Sequence, residues 1–541
     1  MQDAGLKEIF ENLEAVPAKK HFIFFCKFEK MKMVFARDWF SSRLSVYSSP
    51  HLAKPFSVSR NFYKIIVNTK TNFHPKFLFS IILLYTLYVV TKITYTNTLL
   101  ADDLSKMYES IYLDSNFIDF IFSFLDSATM SARPVSGLLT GSLIYISSYN
   151  QSLYYLGLLL FPISIITLYN VLKHFINKEL TLLAVILYTS SIFASSIQFS
   201  PIMLNSNLAL IFWLLSLYFL KKNYNPFLSG LLYILSILSY EIFFPLLIIN
   251  AFLIKNKRGK FLYFISILSV LVLYKKIAQP LLFTNSYQRD NLNQLLDIVH
   301  LKKVILFTLK MFLRDYLFAV IKGIKNIIHF NLIEIVFPAV IGLCTYFHLK
   351  KEKFIKFNFS LNKALLISFS LMILSLSIFL FSTYTPTLYG FDNRNLGAVR
   401  LFSSFFLLML ILYTTKRLNI KVEYFRIIIT IIITLTFVVN LSSMNAWIYA
   451  SNFNKKMFKD LAKNISNNNY TSTQICIDYN VYNFQKNNKY LILREPTFFN
   501  NWEASYLLYI NGLNPKKINV RIKERQNGNF NCQSEFIYEH K

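Results

Sequence analysis

Long apolar segments dominate the sequence. Most of the chain between residues 76 and 444 consists of hydrophobic blocks of about 16–22 residues, a length that crosses the ~30 Å hydrocarbon core of a bilayer as a helix. Hydrophobic residues make up 54% of the chain, which exceeds the roughly 45–50% of soluble domains. The sequence therefore predicts an all-α polytopic membrane protein with about eleven transmembrane helices.

The positive charge of the chain indicates its orientation. The formal net charge is +29, and Lys and Arg collect in the cytoplasmic loops of membrane proteins. This preference accounts for the charge without a nucleic-acid partner. It predicts residues 1–75 as a basic cytoplasmic or interfacial tail, residues 76–444 as the transmembrane domain, and residues 445–541 as an exported part.

The expected crossings follow from this orientation. Residues 134–172 are too long for one straight helix, so we expect one net crossing there with a break near Tyr149-Asn150-Gln151. Segment 301–330 mixes bases with apolar residues at helical spacing, which is typical of an interfacial helix, here on the outer leaflet. The other predicted crossings are 78–95, 180–198, 203–220, 227–241, 242–254, 260–276, 333–349, 361–383, 399–415 and 425–443.

The polar, Asn-rich segment 445–541 predicts a small exported α/β domain. A helix is expected at Asn501–Ile510. In an exported domain, Cys476 and Cys532 either form one disulfide or remain two thiols. The strand-like runs are Gln474–Ile477, Tyr490–Leu493, Ile518–Ile522 and Glu535–Tyr538.

An acidic loop follows the first predicted crossing. Residues 99–132 contain six acids and a single base, Lys106. Two of the acids, Asp102 and Asp103, are adjacent and close to the membrane, where partial desolvation raises a carboxyl pKa toward that of a general base. Paired carboxylates also suit a divalent metal. The alternative is a solvated acidic turn that only enforces topology.

Two further charges stand at the ends of apolar runs. Arg133 precedes Pro134, which suits the first turn of a helix, and an arginine there either binds a phosphate bidentately or reaches up to lipid headgroups. Glu241 lies between two apolar runs, where a charge is costly and marks a functional candidate. An exposed turn residue is the alternative for Glu241.

Arginines also occur on the predicted outer side, against the usual distribution. Arg394 and Arg400 lie before and at the start of a late crossing, at the depth where a membrane-embedded substrate would present its phosphate. Arg289 is a weaker candidate. The sequence has no Walker loop, dinucleotide fingerprint or paired histidine spacing, so neither ATP hydrolysis, a cofactor nor a dedicated metal site is expected.

Together these features resemble the GT-C superfamily of integral-membrane glycosyltransferases, and most closely the bacterial O-antigen glucosyltransferases that modify lipopolysaccharide. The resemblance covers roughly residues 76–415. It is carried by Asp102-Asp103 after the first crossing, by Ala132-Arg133-Pro134 at the next one, and by Leu238–Pro245 with Glu241. The family usually has Gly at the position of Ala132.

The resemblance implies transfer of a sugar, with inversion, from a polyprenyl-phosphate-sugar donor to a glycan or glycolipid acceptor. By analogy, Asp102 or Asp103 would deprotonate the acceptor hydroxyl, and Arg133, Arg394 or Arg400 would stabilise the departing phosphate. No cofactor is required. The basic segment 301–330, with Lys302 and Lys303, would hold the lipid phosphate.

The implied location is the inner (plasma) membrane, with the active site on the extracytoplasmic side among membrane lipids. Two alternatives stay open at this point. An O-antigen or capsule polymerase is also membrane-bound, but it tends to depend on arginine-rich outer loops. A transporter or flippase of lipid-linked oligosaccharide would spread charged residues through the depth of the membrane, whereas a transferase gathers them at one surface.

Overall fold

The computed structural model describes residues 75–111, 116–127, 129–284, 297–351, 360–467, 473–478, 481–497, 501–522 and 536–539. The predicted N-terminal tail before Pro75 lies outside these residues. Arg289 and Cys532 also lie outside these residues. The prediction of a disulfide between Cys476 and Cys532 therefore lies outside them as well.

Helices make up most of the described chain. In chain order they are α1 Pro75–Tyr95, α2 Asp102–Ile111, α3 Phe117–Leu125, α4 Pro134–Ser147, α5 Gln151–Leu172, α6 Lys178–Ser190, α7 Ser196–Phe199, α8 Pro201–Lys221, α9 Pro226–Ser239, α10 Glu241–Leu253, α11 Lys257–Leu282, α12 298–325, α13 Leu332–Lys351, α14 Leu361–Phe381, α15 Phe391–Arg417, α16 Val422–Asn467, α17 Val481–Asn487 and α18 Asn501–Tyr509.

Within the described residues, eight helices are long and apolar enough to cross a membrane: α1, α5, α8, α11, α13, α14, α15 and α16. The chain is therefore a predominantly α-helical, multi-pass membrane protein. The predicted crossings 180–198, 227–241 and 242–254 correspond to the shorter helices α6, α9 and α10. The total of eleven crossings thus stays a prediction. Helix α12 is not among the eight, and its interfacial position stays a prediction.

The break predicted within 134–172 is confirmed. Helix α4 begins at Pro134 and ends at Ser147. Helix α5 then begins at Gln151, where the side chain of Asn150 accepts a hydrogen bond from the backbone N–H of Ser152. An amide oxygen at this position caps a helix by satisfying a free backbone donor.

Helix α16 crosses the predicted domain boundary without interruption. It contains 46 residues, so it is about 69 Å long at 1.5 Å per residue. The boundary expected at residue 444 falls inside this helix, and the described residues on both sides of it belong to one compact unit.

Beyond α16, the described residues contain a parallel three-stranded sheet in the order β2-β1-β3. Its strands are β1 Thr473–Asp478, β2 Ile518–Ile522 and β3 Phe536–Glu539. These strands and α18 match the predicted runs. The strand expected at Tyr490–Leu493 is wrong, because these residues form a turn in which Ile492 and Leu493 donate backbone N–H groups to the buried carboxylate of Glu495. That this region is a separate exported domain stays a prediction.

Candidate active site

The acidic pair begins helix α2. Ala101, immediately before it, has a φ of 51°, in the left-handed region that residues with a Cβ rarely adopt. Such a conformation costs on the order of 1–3 kcal/mol and is concentrated at functional sites. Asp102 and Asp103 occupy the first turn, where the positive end of the helix dipole favours carboxylates.

The two adjacent carboxylates have different partners. Asp103 is fully buried and accepts hydrogen bonds from Tyr154 Oη at 3.0 Å, Ser200 Oγ at 2.7 Å and the Ile202 backbone N–H at 2.9 Å. Burial raises the pKa of Asp103 to about 7, although these hydrogen bonds oppose the shift. A carboxylate enclosed in this way anchors α2 to the bundle and cannot reach an acceptor. Of the two predicted bases, only Asp102 is placed to act.

Asp102 forms an ion pair with Arg394. The Asp102 side chain is 34% exposed and the Arg394 side chain 18%, so the pair lies at the edge of the solvent. Arg394 belongs to the first turn of α15, where its guanidinium lies 4.5 Å from the centre of the Phe391 ring. A carboxylate with this exposure remains accessible to a ligand.

Arg133 and Glu241 form a second ion pair. Arg133 Nε lies 2.7 Å from Glu241 Oε2, and Arg133 Nη2 lies 2.5 Å from Glu241 Oε1, a bidentate geometry. The guanidinium also stacks 4.4 Å from the centre of the Tyr240 ring. Tyr240 in turn donates a hydrogen bond of 2.7 Å to the side chain of Asn395, next to Arg394. Tyr240 thereby joins the two ion pairs into one cluster.

A cavity of about 320 Å³ adjoins this cluster. Its wall is mostly apolar and comes from α9, α10, α11 and α14. The polar and charged residues in the lining are Glu241, Tyr274, Lys275, Lys276, Ser382, Tyr384 and Asn395. A concave apolar space with a few converging polar groups is the usual form of a ligand site.

Lys275 and Lys276 of α11 were not predicted as site residues from the sequence. Lys275 lies close enough to Glu241 and Arg133 to interact electrostatically with both. Arg133 and Lys275 thus act on the Glu241 carboxylate together, and Lys276 adds a further cation to the cavity wall. The available signal was a pair of lysines at the predicted outer end of an apolar block, where they contradict the expected distribution of charge.

Arg400 has a structural role, which corrects the expectation that it binds a substrate phosphate. It is fully buried, and its guanidinium donates to the backbone carbonyls of four residues: Tyr188, Thr189, Phe193 and Ala194. These carbonyls lie at the end of α6 and just after it, where a helix leaves acceptors unsatisfied. The guanidinium is therefore committed to the fold.

Of the remaining candidates, Lys302 and Lys303 belong to neither ion pair. Lys302 and Lys303 are exposed on α12, whereas His300 and Val304 of the same helix are buried. Among the predicted site residues, the structure brings together Asp102, Arg133, Glu241 and Arg394.

The C-terminal part supports the loop that carries Arg394. Gly390 has a φ of 67°, which glycine adopts readily, and its N–H donates to the Leu493 carbonyl at 2.8 Å. Arg494 stacks 4.3 Å from the centre of the Tyr389 ring. Helix α18 packs directly on α2. The region after α16 therefore contacts both elements that supply the Asp102–Arg394 pair.

This arrangement offers an accessible carboxylate, two arginines and two lysines beside an apolar cavity. Such a set can accept a proton and stabilise a leaving anion. No protein-family model, curated protein or solved structure matches the chain. The resemblance to the GT-C superfamily therefore stays a prediction.

Proposed function

We propose that this protein is a glycosyltransferase that moves a sugar from a polyprenyl-phosphate-sugar donor to a cell-surface glycan or lipid acceptor. The reaction would take place on the extracytoplasmic side of the inner membrane, with inversion at the sugar carbon. The observation that carries the proposal is the Arg133–Glu241 pair at the wall of a mostly apolar cavity with lysines in its lining. Tyr240 and Asn395 link this pair to the Asp102–Arg394 pair.

The cavity suits both the apolar isoprenoid chain and the charged phosphate of such a donor. An isoprenoid chain is apolar, so burying it against the side chains of α9, α11 and α14 is favourable. Its phosphate is anionic and needs cations at the same depth. Lys275 and Lys276 stand in the cavity wall, and Arg133 adjoins it through Glu241. A purely aqueous nucleotide-sugar donor would gain little from this apolar wall.

The reaction assigns a role to each charged group. Asp102 leaves Arg394 and takes the proton of the acceptor hydroxyl. The acceptor oxygen then bonds to the anomeric carbon from the side opposite the phosphate, while the bond between that carbon and the phosphate oxygen breaks. The electron pair of the broken bond leaves on the phosphate. Arg133, Lys275 and the released Arg394 stabilise the charge that develops there.

The experiment combines a deletion strain with a reconstituted protein. The surface glycans of the deletion strain are compared with those of the parent by mass analysis, and the purified protein in liposomes is offered a panel of labelled polyprenyl-phosphate-hexoses. We expect the deletion to remove one hexose mass per acceptor unit. We also expect the liposomes to release polyprenyl phosphate only when the acceptor is present, and Asp102→Asn to fail in both assays.

The two alternatives give different glycan masses. Loss of a polymerase shortens the glycan to one repeat unit, and loss of a flippase removes the whole glycan from the surface. Either pattern, with no hexose transfer in liposomes, would overturn the proposal.

A further inference from the structure

Helix α12 packs against one end of the bundle along a single side. The buried residues of this side recur at helical spacing: His300, Val304, Met311, Asp315, Ala319 and Gly323. His300 Nε2 lies 2.8 Å from the carbonyl oxygen of Phe379, and Ser442 Oγ donates to the Gly323 carbonyl at 2.7 Å. The helix is thus fixed to α14 at one end and to α16 at the other.

An apolar stripe lies on the exposed surface of α12. Its members follow one another at intervals of three or four residues and are 36–69% exposed: Ile298, Leu301, Ile305, Leu309, Leu313, Leu317, Ile321 and Ile324. A soluble protein rarely leaves such a continuous apolar surface in water. On a membrane protein the stripe indicates contact with hydrocarbon.

A π-helical turn keeps the stripe on one side. Residues four apart in a regular α-helix are displaced by about 40° around the axis, so a stripe with this spacing would wind around the helix. The segment Met311–Asp315 is π-helical and adds a residue to the turn, which reverses part of the displacement. The buried and exposed sides therefore keep their positions over all of 298–325.

Basic residues accompany the apolar stripe. Segment 298–325 contains six bases and one acid, Asp315. Arg314 pairs with Asp315, and Lys322 donates to carbonyls of the C-terminal part at Lys486, Asn488 and Leu491. The other four bases are Lys302, Lys303, Lys310 and Lys325. A helix that exposes apolar side chains together with lysines is the form that lies in the headgroup region of a membrane.

We propose that α12 is a docking surface for anionic phospholipid on the face of the bundle that carries the candidate site. The apolar stripe lies in the hydrocarbon of the adjacent leaflet, and Lys302, Lys303, Lys310 and Lys325 bind lipid phosphates. A second copy of the chain is a poor occupant, because two such surfaces would bring together bases of like charge. Anionic phospholipid suits both the apolar stripe and the lysines, because its tails are apolar and its phosphate is negatively charged.

This surface is connected to the cavity. The carbonyl that contacts His300 belongs to Phe379, a residue of the cavity wall. When α12 is bound to lipid, its contact with Phe379 therefore supports the cavity wall from the side facing away from the cavity.

The test uses photo-cross-linking on the full-length protein in nanodiscs made of equal amounts of phosphatidylcholine and phosphatidylglycerol. Benzoylphenylalanine replaces Leu309 in the apolar stripe or, as the matched control, Val304 on the buried side of the same helix. We expect lipid adducts from position 309, and links within the protein from position 304. An absence of lipid adducts at position 309, or a link there to a second copy of the chain, would overturn the proposal.

The lysines are tested by the composition of those adducts. One lysine near an anionic surface favours binding by about fivefold, so we expect phosphatidylglycerol adducts at position 309 to exceed phosphatidylcholine adducts by at least that factor. Lys302→Gln/Lys303→Gln/Lys310→Gln/Lys325→Gln should make the two equal, whereas Lys221→Gln/Lys222→Gln should keep the preference. Lys303→Gln and Lys310→Gln, made singly, should each reduce the preference for phosphatidylglycerol. These single variants test the lysines if the fourfold variant does not fold. Equal adducts in the unmodified protein contradict the assignment. None of these measurements needs the sugar donor, so their result is independent of the proposed function.

Discussion

Arg133 and Glu241, 108 positions apart in the chain, meet in a bidentate ion pair with N–O distances of 2.7 and 2.5 Å. The pair joins the start of α4 to the start of α10 and stands beside the cavity. Glu241 therefore pairs with the same arginine that we assign to the donor phosphate.

This pairing predicts a coupled loss of stability. Arg133→Gln and Glu241→Gln, made singly, should each lower the free energy of unfolding by about 1–3 kcal/mol, because each leaves a desolvated charge without its partner. The double variant should lose less than the sum of the two losses. Thermal unfolding in detergent measures the cycle, and strictly additive losses would show that the contact contributes nothing.

Asp102→Asn should abolish transfer while the protein folds normally. Removal of a general base typically costs on the order of 10²–10⁴ in rate, and the partly exposed Asp102 contributes little to packing. The readouts are hexose transfer in liposomes and the melting temperature of the same preparation. The control is Asp119→Asn, an exposed acid in α3, which should keep full activity.

Asp103→Asn should instead alter stability and its pH dependence. An amide cannot accept all three hydrogen bonds, so we expect a loss of about 1–3 kcal/mol at low pH. Burial raises the pKa of Asp103 from 3.8 to about 7. Between these two values the folded protein keeps a proton that the unfolded chain has released, so stability falls as pH rises.

The buried carboxyl of Glu495 should make stability fall with rising pH in the same way, because burial raises its pKa to about 7. Melting temperatures between pH 4 and 8 should therefore decline in the unmodified protein and less steeply in Asp103→Asn. Parallel curves for the two proteins would contradict the role assigned to this carboxylate.

Arg394→Ala and Arg400→Ala should fail in different ways. Arg394 contacts Asp102 at the edge of the solvent, so its loss should reduce turnover by about 10²–10³ with little effect on folding. Arg400 satisfies four buried carbonyls, so its loss should reduce the yield of folded protein. Kinetic constants and the monodisperse fraction in size-exclusion chromatography distinguish the two cases. Similar behaviour of both variants would refute the division of roles.

Lys275→Gln should weaken binding of the donor. Lys275 stands in the cavity wall close to Arg133, and loss of one cation should raise the KM for a polyprenyl-phosphate-hexose by about tenfold, as for a charged hydrogen bond. Lys257→Gln, at the exposed opposite end of α11, is the control. An unchanged KM for Lys275→Gln would place the donor phosphate elsewhere.

The sequence could predict much of the site but not its pairings. Hydropathy and charge placed Asp102, Arg133, Glu241 and Arg394 on one side of the membrane, because each lies at the end of an apolar block. The contacts among them join residues more than a hundred positions apart, and no local pattern encodes such pairs.

Neighbouring acids and arginines also look alike in a sequence. Asp102 and Asp103 differ in role because successive residues of a helix point about 100° apart, so one faces solvent and the other the bundle. Arg400 resembled Arg394 because both are arginines near the start of one crossing. Only its hydrogen bonds to the carbonyls at the end of α6 and just after it show that Arg400 belongs to the interior.

The length of α16 bears on how Asp102 is positioned outside the hydrocarbon core. A helix of about 69 Å exceeds the ~30 Å hydrocarbon core by more than half its length, so its second half must project beyond the lipid. Ser451 in that half exchanges hydrogen bonds with the backbone of Leu99, and Lys455 donates to the Asn97 carbonyl. The turn before Asp102 is thus fixed to a continuous helix. The distance between the Asp102 carboxylate and the terminal sheet should therefore stay the same in bilayers of different thickness.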